Sequence, residues 1–232
     1  MITLRLLGRF GIKLNGRGVD WSSTLQDAQT LLAMIALGNR GLSHASACAS
    51  LWPSHSEHHA VAALAEALRL LRRTRPEIAD HVIQTQAGLA WSADASLSHD
   101  VFRFSQAVLD HDWSRAVAFY TGDFLEGNNT SWAAARRTGL RLDYTYALDR
   151  LVAACEARRD YAQARLFANR LLELEPDRES AYECVMHLCT LLSDATGAAE
   201  VHRRRQHWLR STTASVLEPM RELAFYGATG QA

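Results

Sequence analysis

In Val61-Ala-Ala-Leu-Ala-Glu-Ala-Leu-Arg-Leu-Leu-Arg-Arg-Thr-Arg-Pro76, the residues Val61, Leu64, Leu68 and Leu71 recur at intervals of three and four. That spacing predicts an amphipathic helix, and Pro76 stops it. With the apolar stripe packed inward, Ala62, Ala65, Glu66, Arg69, Arg72 and Arg73 point outward, giving an arginine-rich second half and a small or acidic first half. Upstream, Ser43 can cap a short helix ending near Leu51-Trp-Pro53. Before it, Leu25, Ala28, Leu32 and Ile35 trace a first helix, with Gly38 and Asn39 as its stop signal. Downstream, His81–Thr85 and Leu89–Ser92 read as two short strands joined through Gln86-Ala87-Gly88.

The chain opens with short apolar runs broken by glycine, from Ile2 to the turn dipeptide Asn15-Gly16, followed by Val19 and Trp21. This pattern predicts a small antiparallel sheet. Sheet, three helices and hairpin in that order make a winged helix. Beyond about residue 97 the strand signal vanishes. Helical segments follow, broken at Thr121-Gly122, Glu126–Thr130, Glu175-Pro176-Asp177 and Ser193-Asp194. The fold class expected is mainly α with a small β component, divided into a winged-helix domain over 1–97 and a helical-hairpin domain over 98–232.

A length of 232 residues suits two such domains, and 48% hydrophobic with 22% charged residues is the usage of a globular protein. No apolar run is long enough for a membrane helix and the first residues lack a signal-peptide layout, so the expectation is a cytoplasmic protein without a membrane partner. Four irregularly spaced cysteines without a Cys-x-x-Cys pair argue against a disulfide framework, zinc and redox chemistry. Twenty-five basic residues balance twenty-five acidic ones, so attraction to a polyanion has to be local.

From Leu151 to Pro176 the chain resembles a tetratricopeptide unit without gaps, with Tyr161, Ala164 and Pro176 at matching points. A weaker second unit is indicated by Ala198, 34 residues after Ala164. Stacked helical hairpins of this kind present a groove or end face to protein partners.

The order of parts resembles that of the bacterial transcriptional activator domain proteins, SARP-type activators in which an OmpR-like winged helix precedes a tetratricopeptide-like domain. The resemblance rests on Leu4-Arg-Leu-Leu-Gly8, Leu31-Leu-Ala33, Leu51-Trp-Pro53, Leu68-Arg-Leu-Leu-Arg-Arg73 and Asp100-Val-x-x-Phe104. It rests further on Tyr120-x-Gly122-x-Phe-Leu125 with Trp132 and Arg136-Arg137. It implies a transcription regulator without a catalytic step or cofactor. The winged helix would bind double-stranded promoter DNA, and the helical domain would bind a second copy of the chain or RNA polymerase. The residues expected at DNA are Arg69, Arg72, Arg73 and Arg75 on and after the third helix, with Gln84 and Thr85 in the wing.

Competing readings follow from the same residues. Neutral net charge and the alanine-rich third helix suit a protein–protein adaptor or oligomeric scaffold whose winged helix no longer binds DNA; a helical groove holding a small ligand is a third possibility. His55, His58 and His59 are read as exposed histidines rather than a metal site, and Cys184, His187 and Cys189 diverge along one helix. Tyr120, Phe124, Leu125 and Trp132 are expected to form an aromatic plug closing the first helical hairpin onto the next helix. No phosphate-binding glycine loop or nucleophile signature is present, which argues against an enzyme.

Overall fold

The computed structural model describes residues 1–21, 25–38, 41–92, 94 and 96–210. Asn39, expected to help end the first helix, and residues 211–232 of the expected helical part lie outside the described residues. The chain divides into two compact units, with the division between Tyr144 and Thr145.

The first unit opens on β1 (Ile2–Arg5), β2 (Gly11–Leu14) and β3 (Arg17–Val19), an antiparallel meander. Asn15 and Gly16 make its β2–β3 turn with φ of 49° and 83°, the positive values a two-residue hairpin requires. The sheet gains a fourth strand that the sequence pattern does not reveal: β6 (Leu97–His99) lies parallel to β1, giving the order β3-β2-β1-β6. Three residues, one of them serine and one histidine, are too few to establish an alternation.

Helices α1 (Gln26–Leu37), α2 (His44–Leu51) and α3 (Glu57–Thr74) follow. Leu25, Ala28, Leu32 and Ile35 are all buried, and Ser43 caps α2 by accepting from the Ser46 amide at 3.1 Å. Along α3 the inward stripe is Ala60, Leu64, Ala67, Leu68 and Leu71. Val61 departs from expectation: it is 53% exposed, and Ala60, one position earlier, faces the core in its place. A single turn, α4 (Pro76–Ala79), then leads into the hairpin of β4 (Val82–Gln84) and β5 (Leu89–Trp91), to which Leu42 adds a one-residue bridge. The core joins Leu31 and Ile35 of α1, Cys48 and Leu51 of α2, Leu64 and Leu68 of α3, and Leu89 of the wing.

Helices α5 (Asp100–Leu109) and α6 (Trp113–Phe119) and the start of α7 (Ser131–Ala157) belong to this same unit. The Asp100 carboxylate accepts from the backbone amides of Leu6, Leu7 and Val101 at 2.9–3.0 Å. Burial raises its pKa more than those amides lower it. Residues 121–126 run antiparallel to the end of β1: Gly8 donates to Asp123 O, Leu125 to Leu6 O and Glu126 to Gly8 O, at 2.8–3.0 Å. A Cβ on Gly122 would stand 2.9 Å from the Gly8 Cα, so the Tyr-x-Gly-x-Phe-Leu segment needs glycine for this backbone approach.

The aromatic plug closes the α5–α6 hairpin onto α7, as expected, with Tyr120 between Phe104 and Tyr144, and it also reaches the core of the first three helices. Tyr120 stacks on Tyr144 of α7 at 4.0 Å, whereas Phe124 meets Trp132 edge to face and Trp132 packs on the core of the first three helices. Buried Asn128 donates to buried Thr30 of α1 at 2.6 Å. Arg137 donates to the carbonyls of Phe124, Leu125 and Asn128 at 2.8–3.1 Å.

The second unit contains the rest of α7, α8 (Tyr161–Leu174), α9 (Glu179–Leu191) and a helical segment over 195–210. Ala164 and Ala168 of α8 are fully buried, as the tetratricopeptide pattern requires where helices approach closely, and α9 contributes Ala181, Val185 and Leu188. Arg159 and Ser193 adopt φ of 59° and 56°, each followed by an aspartate, Asp160 or Asp194, that caps the next helix. These corners are 34 residues apart. His111 (φ 57°) and Asp112 repeat the device between α5 and α6 in the first unit. In all three the aspartate amide donates to a carbonyl five residues back at 2.9 Å, and the residue before it to one three residues back. This is the Schellman closure, here without glycine.

All four cysteines are free. Burial pushes the Cys184 thiol up to about 11, which keeps it protonated at neutral pH.

Candidate nucleic-acid interface

Helix α3 starts at Ser56, whose hydroxyl caps the His59 amide, and ends with Arg72 and Arg73 in its last turn, where cations complement the helix dipole. Its packing leaves Ala62, Ala65, Glu66, Arg69, Arg72 and Arg73 exposed, as the sequence predicts. The antiparallel β4–β5 wing follows α4 and is turned by Thr85 and Gly88, whose backbones bond to each other at 2.8 and 3.3 Å. A Cβ on Gly88 would fall 2.1 Å from Leu42 O, so the wing can approach the backbone just before α2 only with glycine here.

The six expected DNA contacts separate into two groups. Arg69, Arg72, Arg73 and Gln84 are exposed, and the fold brings two of them together: an Arg72 Nη donates to Gln84 Oε1 at 3.4 Å, linking α3 to the wing. The Arg73 side chain makes no hydrogen bond among the described residues. Arg69 is engaged in a two-pronged pair with Glu66, both bonds at 2.7 Å, with both side chains more than half exposed. That hydrogen bond, together with the nearby charges of Arg69 and Arg73, holds the Glu66 carboxyl below its ordinary range, and the same bond with the Glu66 charge raises the Arg69 guanidinium.

Arg75 and Thr85 are bound into the backbone. Arg75 caps α3, with its Nε donating to Asp20 O at 2.7 Å and an Nη to Thr74 O at 2.8 Å. The Thr85 hydroxyl faces the Gly88 amide and carbonyl at 3.2 Å.

Two features of this face escape a reading by residue type. Glu66 neutralises part of the arginine cluster, a pairing its three-residue spacing from Arg69 could have signalled. Ile83 adds an apolar residue, 43% exposed, to the wing between Val82 and Gln84. His55, His58 and His59 are exposed, and no group of three His, Cys, Asp or Glu residues able to hold a metal occurs among the described residues.

The architecture has a counterpart among solved structures. The chain superposes on Mycobacterium tuberculosis EmbR, determined in complex with a low-affinity phosphopeptide, with a TM-score of 0.62 at 18% identity. The match covers 88% of this chain and 58% of EmbR, so the chain spans somewhat more than half the length of that protein. No family model matches, and no curated protein matches by sequence. The likeness is one of fold: a winged helix followed by helical hairpins, mainly α with a small β component. Among the described residues no helix is long and apolar enough to cross a membrane.

Proposed function

We propose that this protein is a cytoplasmic transcription regulator of the SARP type, holding double-stranded promoter DNA through α3 and the wing. In this reading the functional division is 1–97 for DNA and 98–232 for protein contact, with a second copy of the chain or RNA polymerase as partner. The observation that carries it is the joint face of Arg72, Arg73 and Gln84, exposed on the helix and hairpin that a winged helix presents to a groove and its flanking phosphates. Arg75 and Thr85 support this face by fixing the end of α3 and the tip of the wing, and Arg69 joins it when Glu66 releases it. The mechanism is recruitment: phosphate contacts retain the protein on the duplex while the helical part raises the local concentration of its partner.

Each neutralised phosphate contributes about 0.9 to the log–log salt slope. Two free arginines therefore give a slope of about 1.8 per protomer and about 3.6 for a dimer, modest values that make low salt the condition for detection. Filter binding of the full chain to mixed genomic fragments, titrated from low to physiological salt, tests the proposal. Retention with a slope in this range supports it; no retention of any fragment at low salt removes it. One observation favours the adaptor reading: Glu66 ties up the arginine nearest the middle of α3. Under that reading Arg69, Arg72 and Arg73 can be reversed in charge without changing partner pull-down.

A further inference from the structure

A cleft of about 510 Å³ lies within the first unit, lined from β1, β2, β3, β6, α5 and α6, with no residue of α3 or the wing in its wall. Three aromatic rings line it: Phe10 and Trp21, which meet edge to face at 5.0 Å, and Phe119 of α6. Three cations line it as well: Arg5 of β1, Lys13 of β2 and Arg103 of α5, all exposed.

Like Arg17, Arg72 and Arg73, the cations of this cleft have no carboxylate partner among the described residues. Arg69, Arg115, Arg141, Arg165, Arg178, Arg203 and Arg205 all pair with carboxylates, whereas none of Arg5, Lys13 and Arg103 forms an ion pair among the described residues. Arg5 bonds only through its Nε to Arg9 O, and Arg103 through one Nη to Ser98 Oγ at 3.2 Å. Two carboxylates also line the cleft. Asp100 is turned to the amides of Leu6, Leu7 and Val101, and Asp20 makes no ion pair among the described residues. Trp21, which lines the cleft, carries a buried indole N–H that has no acceptor among the described residues. A buried donor without a partner marks a place where an incoming oxygen gains a full hydrogen bond.

From this arrangement we infer that the cleft binds an organic anion with a flat apolar body. The rings of Phe10, Trp21 and Phe119 hold the body, Lys13 and Arg103 hold the anionic group at the rim, and the Trp21 N–H donates to an oxygen of the ligand. The volume lies in the range of sites that enclose small molecules, and rings with a few placed polar groups are the usual composition of such sites. The inference is independent of DNA binding, since no residue of the α3 face takes part.

The test uses two dyes on the full chain: 1-anilinonaphthalene-8-sulfonate, a flat anion, and N-phenyl-1-naphthylamine, its uncharged analogue, each titrated by fluorescence. Near-ultraviolet circular dichroism and the melting midpoint are followed to show that the protein stays folded. Saturable one-to-one binding of the anion is expected. Lys13→Ala with Arg103→Ala should weaken it at least tenfold while changing the neutral dye less than twofold. Ala118→Trp, at an exposed α6 position lining the cleft, should abolish binding of both dyes. Trp21→Phe, which keeps a ring and removes the N–H, should weaken the anion severalfold. The inference is overturned if the folded protein does not bind the anion saturably, if Ala118→Trp leaves binding intact, or if the double variant affects both dyes alike.

Discussion

The arginines of α3 and those near the start of α7 have the same chemistry and opposite circumstances. Arg72 and Arg73 stand in solvent, one with a long bond to Gln84 and the other with no side-chain hydrogen bond among the described residues. Arg137 reaches three carbonyls, and Arg141 pairs with Asp123 beside Tyr120. With 24 arginines and one lysine in the chain, residue type carries little information about role. Partners carry it. An arginine whose donors are spent on its own backbone is part of the fold, and one that leaves them open can meet a phosphate.

The comparison breaks most directly at Arg137. Arg137→Ala leaves three carbonyls of the 124–128 segment without their shared donor and should cost about 3 kcal/mol, the upper part of the range for hydrogen bonds to a charged group. Urea denaturation measures it. DNA retention by the fraction that stays folded should be unchanged; a stable variant with weakened retention would mean that the two groups of arginines are not separate.

The opposite result is expected on α3. Reversing Arg72 and Arg73 to glutamate should lower affinity for mixed DNA about a hundredfold, equivalent to about 2.7 kcal/mol, and flatten the salt slope. The loss of stability should stay at about 1–2 kcal/mol, the cost of replacing cations by anions at the negative end of the α3 dipole, with the fold retained. A variant that unfolds, or one that keeps wild-type retention, contradicts the assignment.

Legibility in the sequence follows the same division. The three helices and the hairpin were readable because their apolar periods, Ser43 and Pro76 are local signals, and the exposed positions of α3 came out as expected apart from Val61. Alanine explains that exception: with so many along α3, Ala60 and Ala67 fill close contacts that a pattern of large side chains assigns elsewhere. Contacts between residues some hundred positions apart had no such signal. Neither the pairing of β6 with β1 nor the carboxylate of Asp100 over Leu6 and Leu7 leaves a period in the sequence. The helix corners were hidden for a different reason. Their left-handed positions hold His111, Arg159 and Ser193 rather than glycine, so only Ser193-Asp194 reads as a break. On the candidate interface, residue type points to the arginines but cannot show that Arg75 is committed to Asp20 O.

Acid should act on one region and spare the other. His99 ends β6 and caps α5 by accepting from the Phe102 amide at 3.0 Å, which requires an unprotonated Nδ1. Burial lowers its pKa, Arg136 adds a smaller push in the same direction, and a bond to the Ala36 backbone opposes them. The unfolded chain therefore takes up a proton near pH 6.5 that the folded chain resists. Stability from this residue is intact above that pH and falls as pH drops through the native value. Melting midpoints between pH 8 and 5 should show the decline, and His99→Asn, which keeps a capping oxygen without the proton, should reduce its slope. An unchanged slope would assign the decline to other groups.

The smallest effect is the most informative about the face itself. Glu66 neutralises Arg69 in the free protein, so a duplex has to compete with a carboxylate for that guanidinium. Glu66→Gln removes the competitor's charge and keeps its length. Affinity for mixed DNA should rise about threefold, and the salt slope should steepen by about 0.9 as one further phosphate contact forms. Exposed pairs of this kind contribute little to folding, so the melting midpoint should stay where it is. If affinity is unchanged while Arg72 and Arg73 still matter, the contact surface lies at the end of α3 and the wing. If affinity falls, Glu66 itself faces the duplex, where a carboxylate can accept from the amino group of a cytosine, and the first half of α3 then takes part in reading the sequence.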